Sequence, residues 1–164
     1  MSGRASHFDA AGKARMVDVS PKPESVRTAR ARAFVRMSRA TLRALGENPK
    51  GNPLEVARIA GIQAAKRTSE LIPLCHPLML THAGVEMTLK RDGVLIEATA
   101  ATTAQTGVEM EALTAASVAA LTVYDMTKGL DRDITIERIE LLEKTGGRSG
   151  TWRRQARKKG ARKP

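Results

Sequence analysis

Aromatic residues are nearly missing from this chain. Phe8, Phe34, Tyr124 and Trp152 are the whole set, 2% of 164 residues, so a core must be assembled from Ala, Val, Leu, Ile and Met. Proteins that grip single-stranded nucleic acid stack successive bases on aromatic platforms, and that class is disfavoured here. Cysteine occurs once, at Cys75, which excludes an intrachain disulfide framework and a cysteine-rich zinc site. No apolar run approaches the roughly 20 residues that span a bilayer, and the N-terminal residues lack the apolar stretch of a signal peptide. The expectation is a soluble, cytoplasmic protein with no membrane partner. Apolar residues still make up 41%, enough for one domain with one substantial core.

Acidic residues are also scarce, giving a net charge of +11, but the excess is unevenly placed. From Arg148 to Pro164 there are eight Lys or Arg and no Asp or Glu, leaving the rest of the chain at only +3. A basic segment low in apolar residues is expected to be flexible and to attract polyanions without specificity. No specific nucleic-acid partner follows from it. The chain divides accordingly into an N-terminal arm (1–25), a folded domain (26–147) and a basic C-terminal tail (148–164).

Within the folded part, Ala29, Ala31, Ala33, Val35 and Met37 alternate with Arg30, Arg32, Phe34 and Arg36. Period two predicts a half-buried strand, and the unbroken alternation outweighs the helix propensity of Ala and Arg. Ser38 offers a cap for a short helix ending at Gly46. Asn52-Pro53-Leu54-Glu55 is a second helix start, running to a stop before Pro73. Val85, Met87, Leu89 and Val94, Ile96, Ala98 alternate about Asp92-Gly93, a hairpin. Leu113, Ala116, Ala120, Val123 and Thr127 trace one face of a long Ala-rich helix. Ile134 and Ile136 alternate, but Ile139 and Leu141 fall on the opposite phase, which predicts a bulge near Glu137. The order implies an α+β fold of the ferredoxin-like, split βαββαβ kind, with an antiparallel four-stranded sheet and helices on one face. One layer of helices covers one side of a sheet, so the other face is expected to need a cover, and self-association is the expectation.

Polar groups cluster at five places. Leu71-Ile-Pro-Leu-Cys-His-Pro-Leu-Met-Leu80 sets Cys75 and His76 between prolines, and His76 lacks neighbours at metal-ligand spacing. Thr106-Gly-Val-Glu-Met-Glu111 opens the long helix, where carboxylates complement the helix dipole. Asp125 and Lys128, three apart near its end, face the same side. Lys50-Gly51 resembles a phosphate grip, and Lys144-Thr-Gly-Gly-Arg-Ser-Gly150 places three glycines beside two cations, a composition suited to anions. Taken singly, each cluster also admits a packing, dipole or ion-pair reading. Spacing adds more. Glu111 and Asp125 lie 14 residues apart on one helix, about 21 Å along its axis. If both are catalytic, two subunits must bring opposite helix ends together.

The blocks Ala57-Arg-Ile-Ala-Gly-Ile-Gln-Ala-Ala-Lys-Arg-Thr68, Leu71 to Met79 and Thr106-Gly-Val-Glu-Met-Glu-Ala-Leu-Thr-Ala-Ala-Ser117 resemble the molybdenum cofactor biosynthesis protein C family, the cyclic pyranopterin monophosphate synthases. Met16-Val-Asp-Val-Ser20, Tyr124-Asp-Met126 and Lys144 to Gly150 fit as well, and the likeness covers residues 12 to 150. The resemblance implies a lyase that converts a cyclised dihydro-GTP triphosphate to cyclic pyranopterin monophosphate and diphosphate. It also implies a homohexamer, a trimer of dimers with sites at the dimer interface; no cofactor and no metal-ligating residue are expected. By position, Asp125 matches the active-site aspartate, and Lys50 and Lys128 the two functional lysines. Leu74, Cys75, His76, Met110 and Glu111 match substrate-contacting segments, and Arg27 and Glu109 further pocket residues. Asn52 stands where family members often have Asp, Thr127 where some have Cys, and the tail after Gly150 lies outside the pattern.

Such a substrate needs cations for its phosphates and proton carriers for its ring. Arg27 and Lys50 are expected at the phosphates and Lys128 near the ring, with Lys128, Asp125, His76 and Glu111 as acid–base candidates. Two other readings are a ferredoxin-like RNA-binding module, opposed by the missing aromatics, and a non-catalytic scaffold subunit, opposed by the joint presence of Lys50, His76, Glu111, Asp125 and Lys128.

Overall fold

Strand β1 (Ser25–Arg36) carries two different surfaces on one backbone. Ala31, Ala33 and Val35 are fully buried and Ala29 nearly so, while Arg30, Arg32 and Arg36 point to the opposite face. This is the period-two alternation of the sequence, and it places β1 at the centre of the sheet. The computed structural model describes residues 7–9 and 11–155. After β1 come α1 (Arg39–Ala44), a 3-10 turn, α2 (Pro53–Lys66) and α3 (Thr68–Leu71). The hairpin β2 (His82–Lys90) and β3 (Gly93–Ala104) follows, then α4 (Glu109–Thr127), β4 (Thr135–Thr145) and β5 (Trp152–Arg153). Ser38 caps α1, its side chain accepting from Thr41 N, and Asn52 caps α2, accepting from the N–H groups of Leu54 and Glu55.

The strands are ordered β2-β3-β1-β4-β5, and every neighbouring pair is antiparallel. The fold is α+β as expected, but the sheet has five strands rather than four. The fifth is two residues long and has no alternation to announce it. It pairs with Glu143 and Lys144, and is held by Arg153 Nε donating to Glu143 at 3.0 Å and Arg154 Nε to the Leu141 carbonyl at 2.6 Å. These residues belong to the tail expected to be flexible; its remainder, 156–164, lies outside the described residues.

The phase slip in β4 is a pair of register shifts, opposite Arg30/Ala31 and Arg32/Phe34, with Arg138 at φ 55 inside the second. The helix-free face of the sheet is charged. Arg32 donates to Glu140 at 2.6 Å, Arg36 to Glu137 at 2.8 Å and to Asp92, and Arg30 lies between Glu97 and Glu143. The open face reasoned to need a cover thus carries ion pairs.

Scarcity of aromatics shows in how the helices meet. α2 packs on α4 through Ala57, Gly61, Ala64 and Ala65 against Ala112, Ala115, Ala116 and Ala119, all buried. A Cβ at Gly61 would lie 2.9 Å from the Ala115 carbonyl oxygen and 2.9 Å from Val85 Cγ2. Small side chains let the two backbones close onto the sheet, where overpacking costs about 1–3 kcal/mol. Ile96, Val85, Val94, Val108 and Val123 complete the core. Among the described residues no helix is long and apolar enough to cross a membrane.

Candidate functional site: two clusters at opposite ends of α4

At the N-terminal end of α4 the chain builds a cavity of about 400 Å³. One wall is Leu74, Cys75, His76 and Leu78, another is Thr106, Gly107, Glu109, Met110 and Glu111, and Val17, Val19 and Lys22 close it from the N-terminal arm. The cysteine–histidine segment is anchored at both sides. Cys75 N donates to the Ile72 carbonyl at 3.1 Å, and Thr102 Oγ1 on β3 donates to the Met79 carbonyl at 2.6 Å. His76 Nε2 donates to the Val17 carbonyl at 2.7 Å, which fixes the ring and ties the arm to the site.

Glu111 is 4% exposed. Burial pushes its carboxyl above the usual carboxylate range, with the neighbouring Glu109 carboxylate adding to the rise. Burial likewise raises the Cys75 thiol, reinforced by Glu111, so Cys75 is a wall residue rather than a ready thiolate. Glu109 is held differently: Lys144 Nζ donates to its Oε1 at 2.8 Å, joining α4 to β4.

A second cavity of about 590 Å³ adjoins the first and shares Lys22, Thr106, Gly107 and Glu109 with it. Its walls add Ser25, Arg27, Lys144, Gly146, Gly147 and Arg148. Arg27 donates from Nε to the Ala104 carbonyl and from Nη2 to the Gln105 carbonyl, each at 3.2 Å. Gly147, at φ 68, lies so close that a Cβ there would strike the Arg27 guanidinium. Ser25 Oγ is buried on this wall without a hydrogen-bond partner among the described residues. Cations, glycine backbone and an unsatisfied hydroxyl suit an anionic, oxygen-rich ligand.

The other cluster lies at the C-terminal end of α4. Lys128 Nζ donates to Asp125 Oδ1 at 2.6 Å, and Lys50 Nζ approaches the Asp125 carbonyl at 3.4 Å. The hydrogen bond from Lys128, then its charge, holds the Asp125 carboxyl below the usual range, and the same bond raises the Lys128 ammonium. All three side chains are exposed. Thr127, between them, is fully buried, with its hydroxyl donating to the Val123 carbonyl at 2.6 Å.

The residues singled out from sequence thus fall into two groups. Leu74, Cys75, His76, Met110, Glu111, Glu109 and Arg27 gather at one helix end, and Asp125, Lys128 and Lys50 at the other. Fourteen residues at about 1.5 Å each keep Glu111 and Asp125 apart along the axis. Lys22, Val17, Val19 and Ser25 were not anticipated as wall residues. They sit in the Pro- and Ser-containing arm and at the first position of β1, where no periodicity marks them. Among the described residues no group of three or more His, Cys, Asp or Glu is placed to hold a metal ion.

Residues 16–147 match the MoaC family. The chain is 59% identical over 154 residues to a cyclic pyranopterin monophosphate synthase of Thermomicrobium roseum, covering 92% of this chain and 93% of that protein. Proteins of the same name from Chloroflexus aggregans (57% over 162 residues, 94% of this chain and 98% of theirs) and Novosphingobium aromaticivorans (56% over 150 residues, 90% and 96%) are similarly close.

Proposed function

This chain belongs to the MoaC family, and we propose that it is a cyclic pyranopterin monophosphate synthase, acting in molybdenum cofactor biosynthesis. The reaction converts (8S)-3',8-cyclo-7,8-dihydroguanosine 5'-triphosphate to cyclic pyranopterin monophosphate and diphosphate, as a phosphorus–oxygen lyase. The observation that carries the reading is the pair of adjoining cavities, one lined by cations and glycine, the other by a buried carboxyl and an imidazole.

A triphosphate fits the cavity of Arg27, Lys144 and Arg148, where Ser25 Oγ would gain a partner and lose the cost of an unmade hydrogen bond. A ribose hydroxyl oxygen attacks the α-phosphorus, its proton passes to a base, and the bond to the β-phosphate oxygen breaks as diphosphate leaves. Positioning and charge stabilisation supply most of the rate for such a step. Ring opening and reclosure need groups that exchange protons. Glu111, raised by burial, is suited to donate one. His76, whose Nε2 is committed to Val17, exchanges through Nδ1. Asp125 stays anionic and fixes the Lys128 ammonium beside the ring, with Lys50 adding charge toward the phosphates.

One protomer does not bring both clusters to one small molecule, which supports a site built across a dimer interface, within a homohexamer arranged as a trimer of dimers. The same reading takes 26–147 as the catalytic domain, 1–25 as an arm and 148–164 as a basic tail. It also takes β1–β4 with the helices between them as a ferredoxin-like split βαββαβ unit, which the order β2-β3-β1-β4 supports, and the cytoplasm as the place of action. Incubating the purified protein with the cyclised nucleotide is the test. Release of diphosphate with formation of a pterin is expected, and absence of both would refute the assignment.

A further inference from the structure

We propose that Asn48 is a positioning residue for Lys50, holding its ammonium against the C-terminal turn of α4. The inference rests on the functional reading above and names a residue that reading does not use. Lys50 lies in Asn48-Pro49-Lys50-Gly51-Asn52, between the 3-10 turn Leu45–Glu47 and α2, so no helix or strand orients it. The side chain of Asn48 does so from both its atoms. Its Nδ2 donates to the Met126 carbonyl at 2.9 Å, and its Oδ1 accepts from the Lys50 backbone N–H at 2.9 Å. The Asn48 carbonyl accepts from Gly51 N at 3.0 Å, closing the turn around Lys50.

One half-buried amide therefore joins the loop to α4 and sets the backbone direction at Lys50. From there Lys50 Nζ reaches the Asp125 carbonyl at 3.4 Å, beside the Asp125–Lys128 pair. A long lysine side chain has many rotamers, and fixing its root cuts the volume its ammonium explores. The Met126 carbonyl is also one of the last four of α4, which lack partners within the helix. Asn48 thus satisfies a helix end with the same group that aims the lysine. A purely structural role, capping Met126, would lower stability whether or not residue 50 is lysine.

A double-mutant cycle separates the two. Asn48→Ala is expected to lower kcat/KM about tenfold, the cost of a misplaced reacting group. In a Lys50→Ala background the same substitution is expected to change kcat/KM no further, because its effect passes through the lysine. An equal fold-loss in both backgrounds overturns the proposal. A wild-type protein that releases no diphosphate refutes the functional reading instead. The positioning is then read from ¹³C relaxation of Lys50 Cε: faster motion in Asn48→Ala supports it, and unchanged motion overturns it.

Discussion

The two ends of α4 carry carboxylates of opposite character. Glu111 is 4% exposed beneath the cysteine–histidine segment, and burial raises its carboxyl. Asp125 has a side chain 63% exposed, and an ammonium at 2.6 Å lowers it. Residue type does not make the difference, and neither does the helix dipole. The dipole favours a charged Glu111 at the N-terminus and opposes a charged Asp125 at the other end, against both observed directions. Desolvation wins at one end and a direct ion pair at the other. The lesson is that surroundings set the character of one residue type: the roofed end favours a protonated carboxyl, the open end a charged one.

The largest effect is expected where the two ends are separated genetically. Asp125→Asn and Glu111→Gln should each lower turnover about a hundredfold or more, as loss of a charged or proton-exchanging group does. If opposite helix ends from two protomers share a site, mixing the two variants should restore activity. A heterodimer with two-fold symmetry then has one doubly altered and one intact site, so random mixing recovers about a quarter of wild-type turnover. Diphosphate release from co-expressed variants is the measurement. No recovery above the single variants would break the comparison, because each end would then act without the other.

A smaller and more local effect is expected at the cation cavity. Gly147→Ala introduces a Cβ at φ 68, in contact with the Arg27 guanidinium, and would displace it from the Ala104 and Gln105 carbonyls. If Arg27 holds phosphate in the ground state and the transition state alike, KM should rise about tenfold with kcat nearly unchanged. Steady-state kinetics read the split directly. A fall in kcat at constant KM would move Arg27 from phosphate binding into the reaction itself.

The division between the helix ends was legible because α4 is one helix. Glu111 and Asp125 sit at fixed spacing on a continuous Ala-rich pattern, and spacing converts to distance. Strand β1 was legible for a related reason, since Ala29 to Val35 alternate without a break. The register fault in β4 left its trace as the phase change between Ile136 and Ile139. What was not legible depends on contacts between distant segments. Lys144 reaches Glu109, and His76 reaches Val17, through folding that no local pattern encodes. Trp152–Arg153 becomes a strand only because β4 offers an unpaired edge. The cover expected for the open sheet face was reasoned from layers alone. The carboxylates opposite Arg30, Arg32 and Arg36 come from β3, β4 and the β2–β3 turn, and their pairing required the register.

The subtlest expected difference is in stability against pH. A carboxyl whose folded-state pKa lies above its ordinary value binds its proton more tightly when folded. For Glu111 stability is therefore fullest below about 4.5, its ordinary value, and falls as pH rises through the raised one. Glu111→Gln removes the charge while keeping the shape, so the variant should melt higher than wild type near neutral pH, and the gain should vanish on acidification below about 4.5. Asp125 has the opposite sign: its stabilisation exists above about 3.8 and is lost as pH falls. Exposure screens that pair, so Asp125→Asn should show no gain near neutrality and only a slight loss. Melting curves of both variants across acidic to neutral pH check the contrast. A Glu111→Gln protein that melts no higher than wild type near neutrality would mean that the roofed carboxylate is well solvated, and the two ends of α4 would then differ in partners rather than in burial.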